Sequence, residues 1–165
     1  MTTTYKSSGI AGTLALLLCL FLVGCGGDTN TSADSVQGEV YAEFTLTTNP
    51  NPVNAQPSTN PDYQWMGGFT LTISETAGIG SDIDAISAGV SESAGGIAVE
   101  TGEVFYQVSI NADTNRVEGS SNTNISFDFF YLLPDGKREA LVIVDLVFVD
   151  DNEFVTETSV RTQVN

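Results

Sequence analysis

The sequence predicts an all-β domain, a two-sheet sandwich of about seven strands, with a small antiparallel barrel as the alternative. Three observations predict it. Apolar residues recur at alternate positions in run after run between Glu39 and Val164. Turn signals such as Asn-Pro, Gly-Gly, Pro-Asp-Gly and Asp-Asp-Asn separate those runs at fairly regular spacing. No stretch beyond residue 24 keeps a helical period long enough to matter.

The first strand has Val40, Ala42, Phe44 and Leu46 alternating with Tyr41, Glu43, Thr45 and Thr47. Asn49-Pro50-Asn51-Pro52 then ends or kinks it, because proline cannot donate to a sheet ladder. Pro57 and Pro61 extend this into a long loop reaching Asp62, and long loops are either functional or mobile. In the next strand Trp65, Phe69, Leu71 and Ile73 share one face, with Gln64, Thr70, Thr72 and Ser74 opposite. Gly67-Gly68 inside it signals a bulge or a close approach of another backbone. Trp65, the only tryptophan, is expected to anchor the core against a facing sheet. Its alternative role is an exposed ligand platform beside the proline-rich loop.

Ala77-Gly78-Ile79-Gly80 reads as a turn; a phosphate loop would need a following helix and a lysine, and neither is there. Ile83 and Ala85, then Ile86, Ala88 and Val90, carry the apolar face across a shift of one residue, which predicts a bulged strand. Ala94-Gly95-Gly96 turns into a short strand, Ile97-Ala98-Val99, and Val104, Tyr106, Val108 and Ile110 mark another. Asn111, Asp113 and Asn115 place oxygen-bearing side chains at alternate positions, as a calcium loop does. Arg116 stands where that loop needs glycine and Asn122 where it needs glutamate, so a polar hairpin loop is expected instead.

Ile125, Phe127, Phe129, Tyr131 and Leu133 form the most aromatic face of the chain, followed by a turn at Pro134-Asp135-Gly136-Lys137. Leu141 to Val149 is nearly all apolar and predicts a central strand covered on both faces. After Asp150-Asp151-Asn152, the threonine-rich run to Val164 suits an edge strand. The early strand broken by Asn-Pro-Asn-Pro, the tryptophan on the second strand and the long final hairpin together resemble an immunoglobulin-like sandwich spanning about Glu39 to Val164. The cysteine pair of antibody domains is absent, so this resemblance carries over no functional residue.

Ahead of the domain, Ile10 to Val23 is apolar apart from Gly12, Thr13 and Cys19, with Lys6 before it and no acid until Asp28. That is the form of a secretory signal, and it falls short of the roughly 20 apolar residues of a membrane span. It closes on Leu22-Val23-Gly24-Cys25-Gly26-Gly27, which resembles the lipobox of bacterial lipoproteins. The resemblance implies cleavage between Gly24 and Cys25, and lipid on the thiol of Cys25 that holds the protein to a membrane. It also implies a place in the cell envelope, and glycine after the cysteine points to the outer membrane of a Gram-negative bacterium. The chain thus divides into a signal (1–24), a lipidated cysteine with a flexible tether (25–38) and the β domain (39–165). Gly26 to Gln37 is small, polar and acidic, and such a tether spans roughly 20 Å root-mean-square.

Composition then narrows the function. Five basic residues face 21 acidic ones, a net charge of −16. Lys6 is the only charge before Cys25, so processing makes the chain one unit more acidic still. Nucleic acid is excluded as a partner, since phosphate binding needs a basic surface. There is no histidine, and of two cysteines one leaves with the signal and the other takes lipid. The usual catalytic base, the commonest transition-metal ligand and any disulfide are thereby removed, and we expect no cofactor, no metal and no catalysis. Asp82/Asp84 and Asp150/Asp151 are the pairs a carboxylate hydrolase could use, but both flank turns, where acids are commonly just solvated. The expected function is a non-catalytic, lipid-anchored envelope module that binds another protein or a surface polymer through loops at one end. The alternative is a carrier of a small apolar ligand in a barrel cavity lined by Trp65, Phe127, Phe129 and Tyr131.

Overall fold

Seven long strands and three short ones occupy the chain between Phe44 and Val164 in the computed structural model, which describes residues 39–99 and 102–165. They are β1 (Phe44–Asn49), β2 (Gln56–Pro57), β3 (Trp65–Glu75), β4 (Ser81–Ala94), β5 (Ile97–Val99), β6 (Phe105–Ala112), β7 (Arg116–Val117), β8 (Asn122–Leu132), β9 (Ala140–Asp150) and β10 (Val155–Val164). One turn of 3-10 helix, Pro134–Gly136, sits between β8 and β9.

The first sheet runs β1-β3-β8-β6, with β2 also on β3; the second runs β10-β9-β4-β5, with β7 also on β4. Lettered A to G in chain order, the seven long strands give A-B-E-D in one sheet and C-F-G in the other. That is the constant-type immunoglobulin arrangement, here with β5 added beside C. The barrel alternative does not hold. The two sheets stack, and among the described residues no ladder joins β6 to β5.

Alternation builds the core. Ile125, Phe127, Phe129 and Tyr131 on β8, with Leu133 just after it, are all buried, each side chain contributing about 1.5–3 kcal/mol relative to exposure. Phe69 of β3 stacks on Phe127 at 4.9 Å, and Phe44 of β1 meets Phe148 of β9 across the sandwich at 4.0 Å. The one-residue shift read from Ile83 to Val90 is a β-bulge: Ile83 faces Phe148 and Ala85 faces Val147, leaving Asp84 as the extra residue. Gly95 and Gly96 close the two-residue β4–β5 hairpin with positive φ, which that turn requires.

Some expectations need correction. Residues Glu39 to Glu43 are not strand, and Val40 is exposed: the backbone of Val40, Ala42 and Glu43 bonds to the side chains of Asn152, Asp150 at the end of β9 and Glu75 at the end of β3. At Gly67-Gly68 the β3–β8 register is continuous, so there is no bulge. The glycine is needed for close approach: a Cβ at Gly67 would lie 2.8 Å from the ring tip of Phe129. The outer face of β9 is only partly covered: Leu141 at its start is buried. Ile143, Val147 and Val149 are half-buried on it and Asp145 is exposed. Asn111 to Asn115 is not a hairpin loop: Asn111 and Ala112 end β6, and the next three residues cross between sheets to β7, fixed by the Ile83 N–H donating to the Asn115 carbonyl at 2.6 Å.

The proline run ends β1 as its chemistry demands. The chain then crosses to the second sheet, where Val53 bridges Val164 in parallel, and returns to the first as β2. Both Asn-Pro bonds in this switch, Asn49-Pro50 and Asn51-Pro52, are cis. Tyr131 closes the β8–β9 corner: its hydroxyl donates to the Arg138 carbonyl at 2.6 Å, and burial pushes the phenol's pKa up.

Candidate functional site

The detour through Val53 leaves a gap at the edge of the first sheet. β1 pairs with β3 from Thr70 onward and β2 pairs with Trp65 and Met66, so Gly67, Gly68 and Phe69 have β8 as their only strand neighbour. A groove of about 750 Å³ opens over this gap. Pro50, Asn54 and Gln56 of the switch segment border it on one side, and Ser109 and Asn111 of β6 with Asp128 and Phe130 of β8 on the other. Gly68 leaves its floor as bare backbone; a Cβ there would meet Asp128 Oδ1 and the Phe127 carbonyl, both at 2.9 Å. Tyr63 flanks Phe130, with ring centroids 6.0 Å apart. The long proline loop therefore borders the site, but most of the site belongs to a sheet face, which strand periodicity alone does not single out.

Trp65 is not part of this groove's lining. It lies at the start of β3, half-buried and packed against the core, with the Arg138 guanidinium 5.8 Å from its ring centroid. Its indole N–H is buried without a protein partner. Of the four rings expected to line a ligand cavity, Phe129 also lines this groove, while it packs on Phe69 and Tyr131, and Phe127 stacks on Phe69 in the core. Cys25 and Gly24 lie outside the described residues.

Three of the four acids in the proposed carboxylate pairs are engaged; Asp84, the extra residue of the bulge, is exposed. Arg116 gathers Asp82 (3.3 Å), Glu118 (3.1 Å) and Asp151 (2.9 Å), and these partners raise its pKa further. Asp150 is buried and accepts N–H bonds from Asn152 and Phe154, both at 2.9 Å, and from Ala42 at 3.1 Å. Glu75, also buried, accepts from Ala77, Gly78 and Ser120 at 2.8 Å each and from Glu43 at 3.3 Å. Burial alone would raise both carboxyls, but the backbone donors outweigh it and hold both below their ordinary values. The two acids fasten the segment where the described chain begins: Asn152 adds a bond from its amide to the Val40 carbonyl at 2.9 Å, and Tyr41 packs on Phe154 at 4.2 Å. Glu92, buried on β4, pairs with Lys137. No group of three or more His, Cys, Asp or Glu poised to hold a metal occurs among the described residues.

No family model matches the chain, and no curated protein does. Among solved structures, the chain is similar to a FixG-related protein from Vibrio parahaemolyticus. The likeness covers 73% of this chain and 94% of that one at 15% identity, with a TM-score of 0.36.

Proposed function

We propose that this chain is a lipid-anchored cell-envelope protein whose β-sandwich is a non-catalytic module for binding a macromolecule. The observation that carries the anchor is Leu22-Val23-Gly24-Cys25 closing a short apolar run, with a small polar tether behind it. The lack of histidine and the engagement of Asp82, Asp150 and Asp151 by Arg116 and backbone donors support a non-catalytic role. Gly26 after the cysteine favours the outer membrane. The domain's layout suits such a role: the chain enters beside Glu75 at one end of β3, and the groove lies around Gly68 toward the other.

Metabolic labelling with an alkyne fatty acid tests the anchor. The wild-type chain takes up label and fractionates with the outer membrane, whereas Cys25→Ser accumulates as unlabelled, uncleaved precursor. Equal labelling and processing of the two chains would refute the anchor.

A further inference from the structure

We infer that the groove at Gly67-Gly68, with the outer face of the first sheet running away from it, binds a neutral glycan chain. This rests on the reading of the domain as an envelope binding module and names its ligand. The first observation is the distribution of charge. In a chain of net charge −16, the outward strand positions of the first sheet carry one charged residue, Asp128. From Thr70 to Ser74 on β3 and from Asn122 to Ser126 on β8, the outward residues are all Thr, Ser or Asn. The register lines them up across strands, Thr47 beside Thr72 and Thr72 beside Asn124, the last two hydrogen-bonded at 2.7 Å. The second sheet's outer face is different: Asp145, Glu157 and Arg161 stand on it.

The second observation is the chemistry of the groove. Asn54, Gln56, Ser109 and Asn111 offer amides and hydroxyls that both donate and accept, as sugar hydroxyls do. Phe130, flanked by Tyr63, supplies an apolar ring against which the C–H face of a sugar can lie. The bare backbone at Gly67-Gly68 allows close approach.

The same features exclude other occupants. An anionic polymer would meet Asp128 with no basic residue in the groove's lining to offset it, and a second copy of this chain is repelled by the net charge. An apolar ligand would match Val53, Met66, Phe129 and Phe130, but would strip water from Asn54, Gln56, Ser109 and Asn111 and return no hydrogen bonds. A cation would find a single carboxylate, Asp128. A neutral polyhydroxylated chain meets each requirement, and the ladder of Thr, Ser and Asn continues the polar surface for further sugar units.

The test uses the intact lipidated protein in a detergent without a sugar headgroup. Cellohexaose, chitohexaose, mannohexaose and maltohexaose are titrated by calorimetry, with polygalacturonate as the anionic control. At least one neutral hexasaccharide binds at up to millimolar concentration and polygalacturonate does not. Phe130→Ala and Ser109→Glu each weaken binding about tenfold, equivalent to about 1.4 kcal/mol, while Glu157→Ala on the other sheet changes nothing. Ser109 is exposed on an edge strand, so S109E reports on the site even if F130A folds poorly. The inference is overturned if none of the four sugars binds, if polygalacturonate binds as well as they do, or if S109E leaves binding unchanged. It is equally overturned if sedimentation shows a dimer that S109E dissolves. Fatty-acid labelling of the same samples separates the two ideas: sugar binding without label refutes the anchor alone, and label without sugar binding refutes the glycan site alone.

Discussion

Gly67→Ala is the smallest change that probes how the groove is joined to the core. The added Cβ would stand 2.8 Å from Phe129 Cζ and 3.0 Å from Val53 Cγ1, both closer than packed carbons approach. Neither neighbour can withdraw easily. Phe129 is fully buried between Phe69 at 6.2 Å and Tyr131 at 6.0 Å, and Val53 is fixed by the bridge to Val164. Overpacking of this kind costs about 1–3 kcal/mol. Alanine also restricts the unfolded chain, which returns about 0.4–1 kcal/mol, so the middle of the two ranges leaves a net loss of about 1.3 kcal/mol. Urea melts measure it as a lower midpoint at unchanged slope, with the melting temperature down by roughly 4–8 °C. Phe129→Leu shortens the obstructing ring. In that background Gly67→Ala should cost less, with a coupling of at least about 0.5 kcal/mol. Wild-type stability within about 0.5 kcal/mol for Gly67→Ala, or an equal cost in both backgrounds, would refute the steric argument.

Two further outcomes follow from the same geometry. Trp65→Ala should destabilise the domain by about 2–3 kcal/mol, less than the 3–5 typical of a fully buried ring, because Trp65 is half-exposed under Arg138; a denaturant melt matching the wild type would show that the ring does no packing. Glu75 and Asp150 have pKa values lowered from the ordinary 4.5 and 3.8, so their contribution is complete above those values and is lost as pH falls through the depressed ones. Stability measured by denaturant should therefore drop below about pH 4.5, and Glu75→Gln should lower neutral stability and flatten that acid limb; an unchanged limb would remove Glu75 from the account.

Much of this fold was legible because the strands alternate cleanly. Five apolar residues two apart, from Ile125 to Leu133, leave β8 one buried face. The change of parity between Ile83 and Ile86 announced the bulge at Asp84. Where the reading failed, the deciding partner was remote in sequence. Val40 and Ala42 continue the alternation of β1, yet the backbone there bonds to Asn152, Asp150 and Glu75, which no local pattern shows. Proline chemistry gave the end of β1 but not the crossing to Val164. The groove was invisible for the same reason: it exists because the crossing leaves Gly67-Gly68 without a neighbour on one side, and its walls come from a loop, β6 and β8.

These remote contacts also divide the domain's acids by task. Glu75 and Asp150 are turned inward at one pole, where seven backbone N–H groups stabilise their negative charge and the segment from Val40 to Glu43 is fastened. Asp82, Glu118 and Asp151 are drawn onto Arg116. The groove lies elsewhere. From Glu75 back to Gly68 is seven residues of β3, roughly 23 Å at the rise of an extended strand. That separation is several Debye lengths at physiological salt, so the acids clustered at the Glu75 pole exert little field at the groove. The described chain begins at this charged pole, and the outer face of the first sheet around Gly68 carries a single charged strand residue, Asp128. The arrangement lets one small sandwich carry a strongly acidic surface beside a sheet face with a single strand charge, Asp128.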